Sequence, residues 1–207
     1  MIIPRLAAIL TLTIATAANA QRPTSATYIT DEEVKAVLAT PGIDHTIRVV
    51  DIGNENFAIG IIHRGPTATP AAAGAGGRAT PAASPCGDQM SSAPADAIPG
   101  AITHDSQTEG YYIVSGGGTL VTGGRIVNGN RSGPDAAVTK ELNGPSCSGL
   151  IAGPGLVQKI LKPGDIVIIP AGVPHGWTAI TDHVDYLSFR PSDHVLQAGY
   201  IHPALRH

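Results

Sequence analysis

Short runs in which apolar and polar residues alternate recur along most of this chain, with the two-residue period of half-buried strands. Residues 46–52 and 57–63 are the first two, and Gly53-Asn54-Glu55-Asn56 between them carries turn chemistry, so the pair predicts a hairpin. Similar runs return at 110–114, 119–122, 156–161, 165–169, 175–180 and 184–190. Their connectors are glycine-, proline- or polar-rich, among them Ser115-Gly116-Gly117-Gly118 and Lys162-Pro163-Gly164. One helical signal precedes them. Thr30-Asp31-Glu32-Glu33 forms a capping box, in which the Thr30 hydroxyl accepts from the Glu33 N–H and Glu33 reaches back. A helix over about 31–39 follows, stopped by Pro41-Gly42. Many short strands with tight turns predict an all-β antiparallel sandwich or barrel behind one short helix.

Two stretches break the alternation. From 66 to 99 the composition collapses to Ala, Pro, Gly, Ser and Thr, and from 128 to 155 it is Gly-, Pro- and Ser-rich. Segments with so few large apolar residues bury too little to offset their ordering entropy, so both are expected to be flexible insertions. The tail, 191–207, has little periodicity and is expected either to lie along the outside or to be only partly ordered. The start of the chain follows another logic. Arg5, an apolar run to about Ala17 and the small-residue pattern Ala18-Asn19-Ala20 predict a signal peptide over 1–20, the alternative being an uncleaved anchor. This gives an N-terminal segment at 21–45, one barrel at 46–190 and the tail. A chain of 207 residues has room for one such core.

Export changes the reading of the two cysteines. Cys86 and Cys147 are even in number and headed for an oxidising compartment, secreted or periplasmic, where a disulfide between them is favoured over two free thiols. Removing 1–20 takes away Arg5 and no acid, moving the formal charge from −3 to −4. That mild acidity, without a Lys/Arg cluster, argues against nucleic acid or an anionic membrane as partner.

The chemistry concentrates in His104-Asp105-Ser106-Gln107-Thr108-Glu109 and, later, in His175. His104 and Glu109 are five apart, which on one strand would put them on opposite faces. A bend at 105–108 lets both point into one space. His175 opens a separate strand after the rigid corner Pro170-Ala171-Gly172-Val173-Pro174. Two histidines and a carboxylate make a transition-metal set with open positions, suited to one divalent ion of Fe, Mn, Ni or Zn. The competing expectation is a metal-free barrel in which the three bond one another. Against it stands the cost of burying a carboxylate without a cationic partner.

At these residues the sequence resembles the cupin superfamily. Gly164, Pro170, Gly172 and His175 match the second cupin motif, Gly-x5-Pro-x-Gly-x2-His, with Ala179 where an asparagine is usual. His104, Glu109 and Gly116 match the first motif, with Ile102 in place of its first histidine. The resemblance covers about 46–190. It implies a jelly-roll barrel holding a metal through His104, Glu109 and His175, and a homodimer paired through its sheets. It says little about the reaction.

Other residues carry weaker expectations. His63 shares parity with Ile59 and Ile61, so it is a candidate fourth ligand or acid/base if that face is interior, and a strand-end residue otherwise. Tyr111 has the parity of Glu109 and is the other candidate for proton transfer. Tyr111, Trp177 and Gln107 are candidates to line a substrate pocket, against plain core for the aromatics and a solvated turn for Gln107 and Asp105. His45, His183, His194, His202 and His207 have no metal-like spacing and read as surface. No Gly-x-Ser-x-Gly elbow or P-loop is present. The function expected is an exported metal-dependent enzyme on a small organic substrate (dioxygenase, isomerase or lyase), the alternative being a non-catalytic binder of a sugar or organic acid.

Overall fold

A computed structural model describes residues 24–67 and 84–206. The expected signal peptide lies outside these residues, as do 68–83 of the first insertion and His207. The helix α1 spans Asp31–Leu38 and starts in the expected box: the Thr30 Oγ1 accepts from the Glu33 N–H at 3.3 Å, and Glu33 Oε2 accepts from the Thr30 N–H at 3.1 Å. Twelve strands follow among the described residues: β1 Asp44–Asp51, β2 Asn56–Arg64, β3 Ser84–Cys86, β4 Ile98–His104, β5 Glu109–Gly116, β6 Gly118–Thr122, β7 Arg125–Arg131, β8 Ser146–Ala152, β9 Val157–Leu161, β10 Ile166–Ile169, β11 His175–Thr178 and β12 Val184–Ser192.

They form two antiparallel sheets, ordered β1-β2-β12-β5-β10 and β3-β7-β8-β4-β11-β6-β9. Ile62, Ile113, Leu120, Leu161, Ile169 and Trp177 pack together in the core. Strand alternation sends the other side chains outward, and each outer face is covered in part. Val37 of α1 packs with Ile47 and Ile61 on the five-stranded sheet. On the other sheet, Val121, Ile126 and Ile151 pack beneath Ile98 and Cys86. Strands at 46–52, 57–63 and the six later runs all appear where alternation predicts them, within two residues at most ends.

The expected second insertion is corrected. Residues 128–155 contain the end of β7, a π-helical turn at Val138–Asn143 and all of β8, which lies inside the seven-stranded sheet. Its glycines serve close backbone approach: a Cβ on Gly149 would lie 2.7 Å from the Gly129 Cα. The end of the first insertion is likewise ordered, because Ser84–Cys86 pairs with β7 and Cys86 is disulfide-bonded to Cys147, Cα to Cα 6.0 Å. β4 was hidden by Pro99-Gly100 and a shortage of large apolar residues. The tail packs along the outside, with Leu196 buried against Val49 and Ala58. His45, expected at the surface, is buried under the 40–43 turn, where a Cβ on Gly42 would meet its ring at 2.6 Å.

Candidate metal centre

The bend at 105–108 turns the chain out of β4 and into β5, so that His104 at the end of one strand and Glu109 at the start of the next both face inward. His175 enters from β11, which lies beside β4. All three side chains are buried, and one donor atom from each lies within 4.8 Å of the others. The His175 Nε2 is 3.1 Å and the His104 Nε2 3.4 Å from the same atom, Glu109 Oε2.

The backbone fixes which nitrogen each ring presents. His104 Nδ1 lies 2.7 Å from the Asn143 carbonyl oxygen and His175 Nδ1 3.0 Å from that of Val173. A carbonyl only accepts, so Nδ1 carries the proton and donates, and a neutral ring turns a bare Nε2 toward Glu109. Two nitrogen lone pairs and a carboxylate then face one another in the dry interior. They repel unless a cation or a further proton lies among them. Bonds of about 2.1 Å at angles of 90–110° separate donor atoms by roughly 3.0–3.4 Å, the spacing that both imidazoles keep from Glu109 Oε2. The His175 Nε2 has no hydrogen-bond partner, which is a further mark of an unfilled role. The donor set therefore fits one divalent ion. Ile102, at the position of the missing histidine, offers it nothing.

Arg190 is the residue that sequence reasoning missed. Its Nε donates to Glu109 Oε1 at 2.8 Å, and its Nη2 to both Asp44 oxygens at 2.8 and 2.9 Å. Ser188 Oγ also donates to Glu109 Oε1, at 3.1 Å, and the Tyr111 hydroxyl to Oε2 at 2.6 Å. Burial alone would raise the Glu109 carboxyl, but the Arg190 guanidinium beside it holds it well below the usual carboxylate range. Burial, then the Glu109 charge, push the Tyr111 phenol well above its own. Tyr111 is thus a proton donor beside the carboxylate and keeps its proton. The expectation that a buried carboxylate here lacks a cation is corrected: Arg190 supplies one. The case for an ion rests instead on the converging lone pairs. A signal for Arg190 was present in β12, where Ser188 and Arg190 alternate with Leu187 and Phe189. The apolar pair faces outward, toward α1 in the case of Leu187, so hydrophobicity pointed to the wrong face.

The remaining candidates divide. Tyr111 and Trp177 lie within the barrel; the Tyr111 ring packs at a tilt against Tyr186, centroids 4.4 Å apart, and stands 6.3 Å from the His175 ring. Gln107 is buried and donates to the Leu142 carbonyl at 3.4 Å, while Asp105 leaves the bend to pair with Arg131 at the surface. His63 is corrected. It shares parity with Ile61 as expected, but that face is the outer one, and His63 stands half-exposed at 2.6 Å from Asp185. It is no ligand of this centre.

Two antiparallel sheets, with two histidines and a glutamate brought together inside them by the two motifs, form the arrangement that the resemblance to cupins implies. Solved structures similar to it include the DMSP lyase DddQ of Ruegeria pomeroyi, 13% identical over 72% of this chain with a TM-score of 0.36. This chain spans 46% of that lyase chain. A conserved protein with a double-stranded β-helix domain from Klebsiella pneumoniae is 16% identical, with 83% of this chain and 93% of that one covered and a TM-score of 0.37. A cupin protein from Bacteroides fragilis is 14% identical, covering 70% and 71%, at a TM-score of 0.31. At these values nothing about substrate or reaction carries over. No protein-family model and no curated protein matches the sequence.

Proposed function

We propose that the protein is an exported, cupin-type metalloenzyme acting on a small organic substrate, with one divalent ion held by His104, Glu109 and His175. The observation that carries this reading is the pair of imidazoles, each locked by a backbone carbonyl, aiming Nε2 at one Glu109 oxygen. A bound ion supplies Lewis acidity toward a substrate oxygen. The chain's own groups do the rest. Arg190 and Ser188 orient Glu109, and Tyr111 holds a proton at the edge of the centre. The disulfide supports export, since such bonds persist in oxidising compartments. Ile166, Ile168 and Tyr112, exposed on the outer face of β10 and β5, support association into a homodimer, which light scattering tests.

Metal analysis of the purified protein should find about one equivalent of Fe, Mn, Ni or Zn, lost in His104→Ala and in His175→Ala. The reading fails if the folded protein neither retains any of the four nor shifts its melting temperature when they are added. A second reading has one observation in its favour. Arg190 already supplies a cation beside Glu109, which favours a metal-free barrel that binds a sugar or organic acid without turnover. Ligand-induced melting shifts without product formation would select it.

A further inference from the structure

The two sheets do not close on one side of the barrel. β9 and β10 are consecutive and joined by a turn in which Lys162 N–H donates to Asp165 Oδ2 at 2.9 Å, yet they do not pair with each other. β9 ends one sheet and β10 ends the other. Between them lies a slot of about 340 Å³, lined by Leu120, Val157, Lys159, Leu161 and Val167 among others. Val157 and Lys159 share the inward parity of buried Leu161, but both are exposed, as side chains are at an open seam. The volume admits on the order of ten non-hydrogen atoms.

Strand register ties the slot to the metal centre. Directly paired residues of an antiparallel ladder point to the same face. Thr122, which also lines the slot, is paired with His175; Leu120 is paired with Trp177, and Val167 with Tyr111. The slot's inner wall is therefore one strand from each. Its chemistry is selective. Most of the lining is apolar, Asp165 is engaged in its own turn, and Lys159 pairs with no carboxylate among the described residues. The Trp177 indole N–H, buried beside Leu120, also lacks an acceptor.

We propose that this slot is a binding site for a small carboxylate with a short apolar chain, its carboxylate held by Lys159 and its chain lying over Leu120, Leu161 and Val167. The inference deepens the metalloenzyme reading by naming its substrate class, and it rests on that reading only for what happens at the inner end.

Trp177 is the chain's single tryptophan, so its fluorescence reports on this region alone. Titration of EDTA-treated protein with hexanoate should give a saturable change. Lys159→Gln should weaken hexanoate roughly two- to fivefold, the scale of one exposed ion pair, with hexanamide unaffected and Lys159→Arg restoring the affinity. No saturable response to hexanoate, or equal affinity in Lys159→Gln, overturns the proposal. Hexanoate binding of this kind in a protein that takes up no ion leaves the slot standing and removes the metal reading. Ion uptake without a hexanoate response does the reverse.

Discussion

Arg190 pairs with two carboxylates, Asp44 and the buried Glu109. Removing one partner of such a set leaves the others uncompensated, so Arg190→Met should cost about 3–5 kcal/mol in urea unfolding. The same network sets an acid limit. Glu109 titrates well below 4.5 in the folded protein, so the unfolded chain takes up this proton first as pH falls. Its contribution to stability is whole above about pH 4.5 and declines as the pH drops toward the folded value. Unfolding free energies measured from pH 6 down to 3 should show that decline, and Glu109→Gln should flatten it. Ala179 poses a different test. It occupies the place where cupins usually carry asparagine, and its φ is +50°, a left-handed conformation that alanine adopts at a cost. Ala179→Asn or Ala179→Gly should therefore stabilise, by up to about 1 kcal/mol, in the same unfolding assay.

At the level of elements, α1 depends on its start. Thr30→Ala removes the acceptor for the Glu33 N–H and should lower the melting temperature by about 3 °C. That box was legible because capping is local chemistry, written in four adjacent residues. Strands with full alternation were legible for the same reason. β7 and β8 were not, because their sheet is built on Gly129 and Gly149, whose role is the distance between two backbones remote in sequence. The three converging donors could be read from motif spacing. Asp44, Asn143 and Arg190, which orient them, could not, since each meets the centre only through folding. His63 shows the limit of parity: a two-residue period says which residues share a face, and α1 decides which face is inside.

Across the whole molecule, the Cys86–Cys147 bond closes a loop spanning 61 positions, worth about 4 kcal/mol in the chain-entropy account. Reduction, or Cys86→Ser with Cys147→Ser, should lower the melting temperature accordingly. The bond joins β3 to β8, and β7 runs between them. It passes over Gly129, where an added Cβ would come within 2.7 Å of the Cys147 sulfur and 2.6 Å of an Ile126 methyl. The cystine thus helps to set the size of the side chain that position 129 can carry. A saturation library at 129 screened under oxidising conditions should return glycine alone. Paired loss of both cysteines should let alanine through in part, with Ile126 and the backbone carbonyl of residue 86 as the remaining obstacles.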